Sequence, residues 1–493
     1  MIYDVIILGG GIAGLYTAYL LTERMPKMKI LVLEKESYLG GRVITYRNKK
    51  MQVEAGAGRY SDSHILVREL IKTLKLSKYE SPISSESTFI RAKTREELST
   101  IIDAPSSLKH DSKLVTQIML GHPQLLSQVD QPVVQIGLDV MFGEKTQPAT
   151  MLITRILMAS KLELDDVLRN QTFIDYAKSI LKNQEEVDLI LDSFGYYSEL
   201  VVMNAYDTCK LLDQLNPANQ FYGLSCGLDM IIKKLSLLLK KRRVHIKTSK
   251  TVENVKWLPM MKTRKSGGFF WNNKTRKYII PPLTTGNKHK IECVDGSVYW
   301  GTRCVCTLPK NAIEKLKVFE PLKPLFNKIA CGSLCRIYMQ FEPDKATGKV
   351  WFAGIPKCTT DNDLRMVLPI SEKTGVIMIS YSDNVYADFW KKIYEKDDVK
   401  GIEKEIGKQI YETLGIKIPP PNYTKVFHWK CGVGYWGVGA NSKLISDRLV
   451  KPYSEQELYI CGESYSETGQ QWMEGSLEMS TRVVHRMFED IDV

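Results

Sequence analysis

A glycine-rich turn near the amino terminus constrains the fold of this chain more than any other sequence feature. The turn, residues 9–14, follows an apolar run over residues 2–8 and opens a segment with helical spacing that continues to Arg24. A second apolar run ends at the acid Glu34. Strand, helix and strand in this order form a βαβ unit, whose two strands lie parallel in one sheet. The sequence therefore predicts an α/β fold that begins at residue 2.

The glycine spacing within this turn is that of a dinucleotide site. Gly9, Gly11 and Gly14 occupy G-x-G-x-x-G positions where strand becomes helix, which lets the backbone approach a pyrophosphate. The unpaired N–H groups of the helix N-terminus then face the phosphate charge. Glu34 follows Gly14 by about twenty residues, the spacing of the acid that accepts hydrogen bonds from a ribose hydroxyl pair. We therefore expect a nucleotide cofactor here.

The composition is that of a folded globular protein. The chain has 493 residues, 44% hydrophobic and 9% aromatic, which argues against disorder, collagen or coiled coil. A formal net charge of +12 is mild for this length and does not indicate a nucleic-acid partner. Ten cysteines without CxxC or zinc-ligand spacing predict reduced, mostly buried thiols and no metal site. With neither a signal-peptide pattern nor a membrane-spanning apolar run, we expect a cytoplasmic protein without a membrane anchor.

Other segments show where helices and strands alternate. Residues 110–220 have mainly helical spacing, and an apolar stripe over residues 228–239 predicts one more helix. Asp295-Gly296 predicts a hairpin turn. The basic and aromatic stretch 262–277 is better explained as a solvated loop than as a nucleic-acid site. A second G-x-G-x-x-G match, residues 432–437, lacks the βαβ context and is not predicted to bind a nucleotide.

Three further segments extend the first turn into a larger pattern. A second glycine turn carries Arg42, which can approach the same pyrophosphate from its other side. Residues 54–59 read Glu-Ala-Gly-Ala-Gly-Arg, and near the far end Glu463 is followed by Trp-Met-Glu-Gly at residues 472–475. Together these segments resemble the flavin-containing amine oxidoreductase family, which includes monoamine, polyamine and L-amino acid oxidases.

The resemblance implies an FAD cofactor, and a non-covalent one, because Gly434 replaces the cysteine to which monoamine oxidases attach flavin. The positions that it implies for FAD binding are Gly9, Gly11, Ala13, Gly14, Glu34, Lys35, Gly41, Arg42, Gly56, Ala57, Gly58, Val252, Gly462, Glu463, Trp472 and Met473. It also implies an α/β fold with a Rossmann-like FAD-binding domain and a discontinuous substrate domain of mixed β-sheet plus a helical block. We expect the FAD-binding domain at residues 1–60, 221–310 and 425–493, the substrate domain at 61–110 and 311–424, and the helical subdomain at 111–220.

The resemblance also assigns the substrate site. Aromatic residues stand on both sides of the family's flavin ring, here Tyr435 or Trp436 on one side and Trp472 on the other, although such residues can also simply fill a core. Trp472 and Arg59 match the L-amino acid oxidase branch, in which the arginine grips the substrate carboxylate, a task suited to a planar guanidinium. Neutralising an FAD phosphate and pairing with a surface acid remain open roles for Arg59.

One position departs from the family. Arg336 stands where a lysine normally holds a water against the flavin, and an arginine stays charged at any working pH and cannot act as a base. Turnover and rapid reaction with dioxygen depend on whether this position tolerates the change. We take Arg336, Trp472, Tyr435 and Trp436 as the candidate catalytic residues.

The implied activity is FAD-dependent oxidation of an amine by hydride transfer to flavin N5. Dioxygen is the implied acceptor, which gives hydrogen peroxide and an imine that hydrolyses to a carbonyl compound and ammonia. An L-amino acid is the favoured substrate, and the alternatives are a polyamine or monoamine oxidase or a catalytically impaired FAD-binding protein. We expect a small-molecule amine and dioxygen as partners, with neither a membrane nor a nucleic acid, and a homodimer is compatible with the sequence.

Overall fold

The computed structural model describes residues 1–84, 87–92, 148–181, 183–214, 219–259, 270–272, 277–279 and 288–489. Within these ranges the strands are β1 (Ile2–Leu8), β2 (Ile30–Leu33), β3 (Thr45–Arg47), β4 (Gln52–Glu54), β5 (Tyr60–Ser61), β6 (Glu80–Ile83), β7 (Thr88–Ile90), β8 (Phe221–Leu224), β9 (His245–Lys247), β10 (Val252–Leu258), β11 (Phe270–Asn272), β12 (Lys277–Ile279), β13 (Lys288–Cys293), β14 (Val298–Cys306), β15 (Ile329–Gln340), β16 (Cys358–Thr360), β17 (Met366–Ser371), β18 (Val376–Asp383), β19 (Tyr423–Trp436) and β20 (Leu458–Ile460). The helices are α1 (Ile12–Arg24), α2 (Ile65–Thr73), α3 (Pro148–Ser160), α4 (Asp165–Arg169), α5 (Phe173–Leu181), α6 (Gln184–Ser193), α7 (Tyr197–Val201), α8 (Ala205–Gln214), α9 (Asp229–Lys241), α10 (Lys310–Ile313), α11 (Lys323–Phe326), α12 (Asn384–Leu414), α13 (Ser442–Val450) and α14 (Met473–Glu489). Short 3₁₀ helices lie at Ser77–Tyr79, Lys317–Leu322 and Glu463–Tyr465.

The first sheet contains the predicted βαβ unit. Its strand order is β10-β13-β14-β1-β2-β9, and β20 pairs with β14. Strands β1 and β2 are parallel and connected by α1, as the pattern of residues 2–34 predicts. The apolar stripe on α9 is buried against the same core. The turn that contains Asp295-Gly296 joins the antiparallel strands β13 and β14, so that hairpin prediction is confirmed.

The second sheet is antiparallel over most of its width. Its order is β19-β15-β18-β17-β16-β7, with a parallel pair only between β16 and β7. The second glycine motif lies in β19 and the loop after it, and β19 pairs with β15, so this segment has no βαβ context. Helix α12 packs on the sheet through buried residues that include Trp390 and Ile406. This sheet places Arg336, on β15, beside the loop that follows β4.

One prediction about the cysteines is wrong. Cys331 on β15 and Cys431 on β19 form a disulfide, whereas we expected ten reduced thiols. The two residues are 100 positions apart and meet only because their strands pair, which spacing alone does not reveal. The other eight cysteines are free, and seven of them are buried.

The described part of the predicted helical segment consists of α3 to α8, which share a core that includes Phe173, Ile190 and Leu200. Residues 93–147, where we also expected helix and part of the substrate domain, lie outside the described residues. Most of the basic and aromatic stretch 262–277 is also outside them, apart from the strands β11 and β12 of one small antiparallel pair. The domain boundaries stay a prediction.

Candidate functional site

The three glycines of the first turn have different structural roles. Gly9 adopts a positive φ of 113°, which favours glycine, and a methyl group on Gly14 would collide with the carbonyl oxygen of Gly9. Gly11 is different, because a Cβ there would have its nearest neighbours 3.9 Å away. Gly11 is the N-cap of α1 and offers no side chain to the amides of the first turn. The turn therefore presents a helix N-terminus without a side-chain cap, and Gly11 leaves room there for at least a methyl group. Such a terminus can receive a phosphate.

Glu34 lies at the end of β2 and is buried. Its two carboxylate oxygens accept hydrogen bonds from the backbone N–H groups of Gly10 (2.7 Å) and Glu36 (2.9 Å). The backbone N–H of Lys250 donates to the carbonyl of Glu34, so the segment leading to Val252 runs alongside. The structure thus brings Glu34 and Val252 to one edge of the first sheet. Lys35 points outward and pairs with Glu36.

Glu463 connects three separate segments of the candidate site. Its carboxylate forms an ion pair with Arg42 at 2.8 Å and accepts hydrogen bonds from the backbone N–H groups of Gly434 and Gln471, each at 2.8 Å. Arg42 also donates to the carbonyl of Gly432. The glycine turn at residues 40–42, strand β19 and the loop before Trp472 therefore meet at one buried carboxylate.

The amino-terminal end of α14 is connected to α2. Met473 is the first residue of α14, and the carboxylate of Glu474 accepts hydrogen bonds from the N–H groups of Leu66 and Val67, both at 2.9 Å. Gly462, at a positive φ of 136°, turns the chain from β20 toward Glu463. The carboxy-terminal helix is thereby fixed next to the loop that carries Arg59.

Arg336 lies against the loop that follows β4. Its Nη1 donates to the carbonyl of Glu54 at 3.0 Å, and Tyr338 Oη donates to the same carbonyl at 2.8 Å. A Cβ on Gly58 would lie 3.2 Å from the guanidinium, so a side chain at this position would displace Arg336. Burial raises the pKa of the Glu54 carboxyl to about 7.

The same loop holds the two remaining predicted cofactor positions. The N–H of Ala57 donates to the carbonyl of Arg42, and a methyl group on Gly56 would collide with that carbonyl. The indole of Trp429 donates to the carbonyl of Ala55 at 2.7 Å. Arg42 and residues of the second sheet thus fix the course of the 54–58 loop.

Arg59 and Trp472 lie in one aromatic cluster. The Arg59 guanidinium stands 4.2 Å from the ring centre of Phe221 and 5.8 Å from that of Trp472, and the two rings are stacked. His64 meets Trp472 edge-on at 4.8 Å, and burial together with the charge of Arg59 lowers the pKa of His64 to about 4. Neutral aromatic and imidazole rings therefore surround a single guanidinium.

Contacts between side chains connect Arg336 to this cluster. The Arg336 guanidinium lies 4.4 Å from the ring centre of Tyr381, which meets Tyr196 edge-on at 5.6 Å. Arg59 Nη2 donates to Tyr196 Oη at 3.3 Å. Arg336 and Trp472, both predicted as catalytic, are thus linked through two tyrosines and Arg59.

The two candidates on β19 point in different directions. Tyr435 is buried among Met203 and Leu211 of the helical segment, and a Cβ on Gly332 would touch its ring. Trp436 is buried in the core of the first sheet, where its indole donates to the carbonyl of Ser466. The structure therefore places Tyr435 on the side of the helical segment, whereas Trp436 packs into the core.

Sequence reasoning missed Tyr196, Tyr381 and Phe221. These residues lie before α7, on β18 and on β8, and no local motif distinguishes them from other aromatic residues. Only tertiary packing brings Phe221 and Tyr196 against Arg59 and places Tyr381 between Tyr196 and Arg336. Metal ligands form no cluster of three or more in the described ranges.

The residues at the first turn fit the dinucleotide part of FAD. The open face at Gly11, the uncapped α1, the buried Glu34 and the Arg42 turn are all directed to one edge of the first sheet. A family model described as flavin containing amine oxidoreductase matches residues 12–487. The chain belongs to the flavin-containing amine oxidoreductase family. It is an FAD oxidoreductase, and the predicted family and cofactor are confirmed.

Relatives of this chain differ in how far the similarity extends. An uncharacterized protein of Acanthamoeba polyphaga mimivirus is 22% identical over 98% of this chain and 94% of its own length. An L-amino-acid oxidase of Crotalus adamanteus is 34% identical, but over 22% of this chain and 21% of its own length. The name of the mimivirus protein states no activity. The match to the L-amino-acid oxidase covers about a fifth of each protein.

Two solved structures share the fold. One is described as a protoporphyrinogen oxidase from Exiguobacterium sp. 255-15, with a TM-score of 0.63 and 15% identity, and the other is a double mutant of putrescine oxidase, with a TM-score of 0.66 and 12% identity. Each match covers 99% of both chains. The α/β fold that we predicted is thereby confirmed. No helix in the described ranges has the length and apolar character to cross a membrane.

Proposed function

We propose that this flavoprotein oxidises an L-amino acid at its α-carbon. Bound FAD supplies the two-electron acceptor, and dioxygen then takes up those electrons as hydrogen peroxide. The imine product adds water and releases ammonia, which leaves a 2-oxo acid. Amine oxidation in general is what the family membership supports, and the L-amino acid is our choice within it.

The observation that carries the proposal is the environment of Arg59. The described residues give its guanidinium one hydrogen bond, to Tyr196, and ring contacts with Phe221 and Trp472. No carboxylate of the described residues pairs with it, so its role as a partner of a surface acid loses support. An arginine held between rings keeps its bidentate N–H groups available, and a substrate carboxylate matches their geometry.

The rings around Arg59 suit the rest of an amino acid. Trp472, Phe221 and Tyr196 offer apolar surface beside the partly buried guanidinium, and a lower local dielectric strengthens its attraction for a carboxylate. His64 remains neutral above a pH of about 4 and so adds no second charge beside Arg59. A neutral aromatic wall also favours the uncharged form of the reacting amine.

Peroxide release tests the proposal when it is measured for L-amino acids, polyamines and simple monoamines. We expect activity on L-amino acids, and in Arg59→Ala a rise in KM of at least about tenfold, since one charge-assisted hydrogen bond contributes about 1.5–3 kcal/mol. Arg68→Ala is the matched control, because Arg68 is an exposed arginine of α2. Equal loss of activity on amines without a carboxylate would contradict the role of Arg59 as a carboxylate clamp.

Arg336 favours a second candidate function, a flavoprotein without amine turnover. Its guanidinium is held by the Glu54 carbonyl and lies over Tyr381, so it is a fixed cation and not a base. If no amine tested gives peroxide, although dithionite reduces the bound flavin, this candidate would be supported and amino acid oxidation would be contradicted.

A further inference from the structure

Glu199 is a buried carboxyl group without a full set of partners. Glu199 is 6% exposed, and Oε2 makes no hydrogen bond with any residue that the structure describes. An unpaired polar atom at such depth costs free energy, so native structures rarely keep one without a use. Glu199 lies on the short helix α7, three residues after Tyr196, whose hydroxyl accepts the hydrogen bond from Arg59.

A second buried carboxylate lies next to Glu199 but is satisfied. Asp383, at the end of β18, accepts hydrogen bonds from the N–H groups of Tyr197 (2.9 Å) and Ser198 (2.6 Å). Burial and the neighbouring Asp383 raise the pKa of Glu199 well above its usual range. Asp383 therefore anchors α7, whereas Glu199 has no such structural task.

The charged groups close to Glu199 are of both signs. Asp383 and Arg59 both lie close enough to Glu199 to interact with it electrostatically. Lys357, which precedes β16, adds positive charge near Arg59, and burial together with Arg59 lowers its pKa to about 8. This cluster thus has a cationic end at Arg59 and Lys357 and a carboxyl end at Glu199 and Asp383, where a bound cation would favour the ionised form of Glu199. A ligand that matches both ends carries an anionic group and a cationic group.

We infer that Glu199 binds a cationic side-chain group of the substrate and so selects basic L-amino acids. The inference rests on the proposed function for its carboxylate end, since Arg59 would hold the α-carboxylate while Glu199 receives the ammonium or guanidinium. The unpaired Oε2 then gains a charge-assisted hydrogen bond. Tyr435 is also buried close to Glu199 and Asp383.

The test compares matched pairs of amino acids on the FAD-loaded protein. L-lysine is compared with L-norleucine, and L-ornithine with L-norvaline, by calorimetric titration and by peroxide release. We expect the basic member of each pair to bind at least about tenfold more tightly to the wild-type protein. Glu199→Gln should remove this preference and leave the Kd of L-norleucine within about twofold, which also shows that the variant is folded.

Two further variants sharpen the test. Glu199→Asp keeps the charge and should retain part of the preference for L-lysine, whereas Glu186→Gln, which changes another buried glutamate of the helical segment, should leave the preference intact. Equal binding of L-lysine and L-norleucine to the wild-type protein, or tighter binding of L-glutamate than of L-lysine, would overturn the inference.

The outcomes also separate this inference from the proposed function. If cadaverine binds as tightly as L-lysine, and does so equally in Arg59→Ala, the amino acid assignment fails while the cation site at Glu199 stands. If L-amino acids are oxidised but Glu199→Gln leaves the preference unchanged, the inference fails and the proposed function stands. Binding without peroxide release still decides the role of Glu199, because the titration does not need turnover.

Discussion

Burial makes the charge of Glu54 a determinant of stability. Its carboxylate accepts hydrogen bonds from Thr45 Oγ1 (2.8 Å) and from the N–H of Leu228 (2.9 Å), yet burial still raises its pKa from 4.5 to about 7. The folded protein therefore holds a proton that the unfolded chain has already released. For this group, stability is fully present below pH 4.5 and is lost as the pH rises to about 7.

We predict that Glu54→Gln flattens this part of the pH dependence. A shift of this size corresponds to about 3–4 kcal/mol, since one pKa unit contributes about 1.4 kcal/mol. The free energy of unfolding of the wild-type protein, relative to the variant, should fall by most of that amount, about 3 kcal/mol, between pH 4.5 and 7.5 in urea denaturation. Glu69→Gln, at an exposed position on α2, is the control and should follow the wild-type curve. A constant difference between wild type and Glu54→Gln across this range would show that Glu54 does not titrate as described.

At the scale of the elements, the β1–α1 turn contains one glycine that folding requires and another that we expect cofactor binding to require. Gly14 is required by the turn itself, because any side chain there collides with the Gly9 carbonyl. Gly11 faces open space and has φ −74°, a backbone conformation that alanine adopts. The two glycines of one motif therefore serve different purposes.

We predict that Gly11→Ala folds but binds FAD poorly. The free energy of unfolding of the FAD-free protein should change by about 1 kcal/mol or less, the usual effect of alanine at an N-cap. The Kd for FAD should rise at least about tenfold, because the added methyl group occupies the space of the phosphate. Circular dichroism and titration with FAD measure the two effects. Gly14→Ala is the comparison and should fail to yield folded protein.

An unchanged affinity of Gly11→Ala for FAD would contradict the placement of the pyrophosphate at this turn. A loss of folding in Gly11→Ala as severe as that in Gly14→Ala would contradict the open space seen at residue 11.

At the scale of the whole molecule, the disulfide joins segments that are far apart in the chain. Cys331 and Cys431 close a loop of about one hundred residues that includes β16 to β18 and α12. A cross-link over such a distance removes much of the conformational freedom of the unfolded chain. The disulfide links β15, which carries Arg336, to β19, which carries Tyr435. We therefore expect it to stabilise the candidate site as well.

We predict that Cys331→Ser lowers the free energy of unfolding by about 2–5 kcal/mol. A reductant should destabilise the wild-type protein by a similar amount and leave Cys331→Ser unaffected, as measured by thermal unfolding. Cys226→Ser changes a free, half-buried thiol and should alter stability by less than about 1 kcal/mol. Insensitivity of the wild-type protein to the reductant would show that the bond adds no stability.

Local patterns in the sequence predicted much of the first sheet and little of the candidate substrate site. The strand before Gly9, helix α1 and the hairpin at Asp295-Gly296 all depend on interactions between residues close in the chain. Gly14 belongs to this class as well, since its contact with the Gly9 carbonyl lies within one turn, whereas a Cβ on Gly9 would meet the distant Thr307. The roles of the individual FAD positions and of Arg59 remain predictions.

The sequence by itself determined that the chain begins with a βαβ unit, carries an uncapped glycine turn and belongs to a flavin-dependent family. Only the tertiary structure decided that Cys331 meets Cys431, that Tyr196 contacts Arg59 and that Glu199 is buried beside Asp383. The physical reason is the range of the interactions. Backbone geometry and hydrophobic periodicity act over a few residues, whereas pairing of β15 with β19 and packing of α7 against β18 join segments separated by about 80 residues or more.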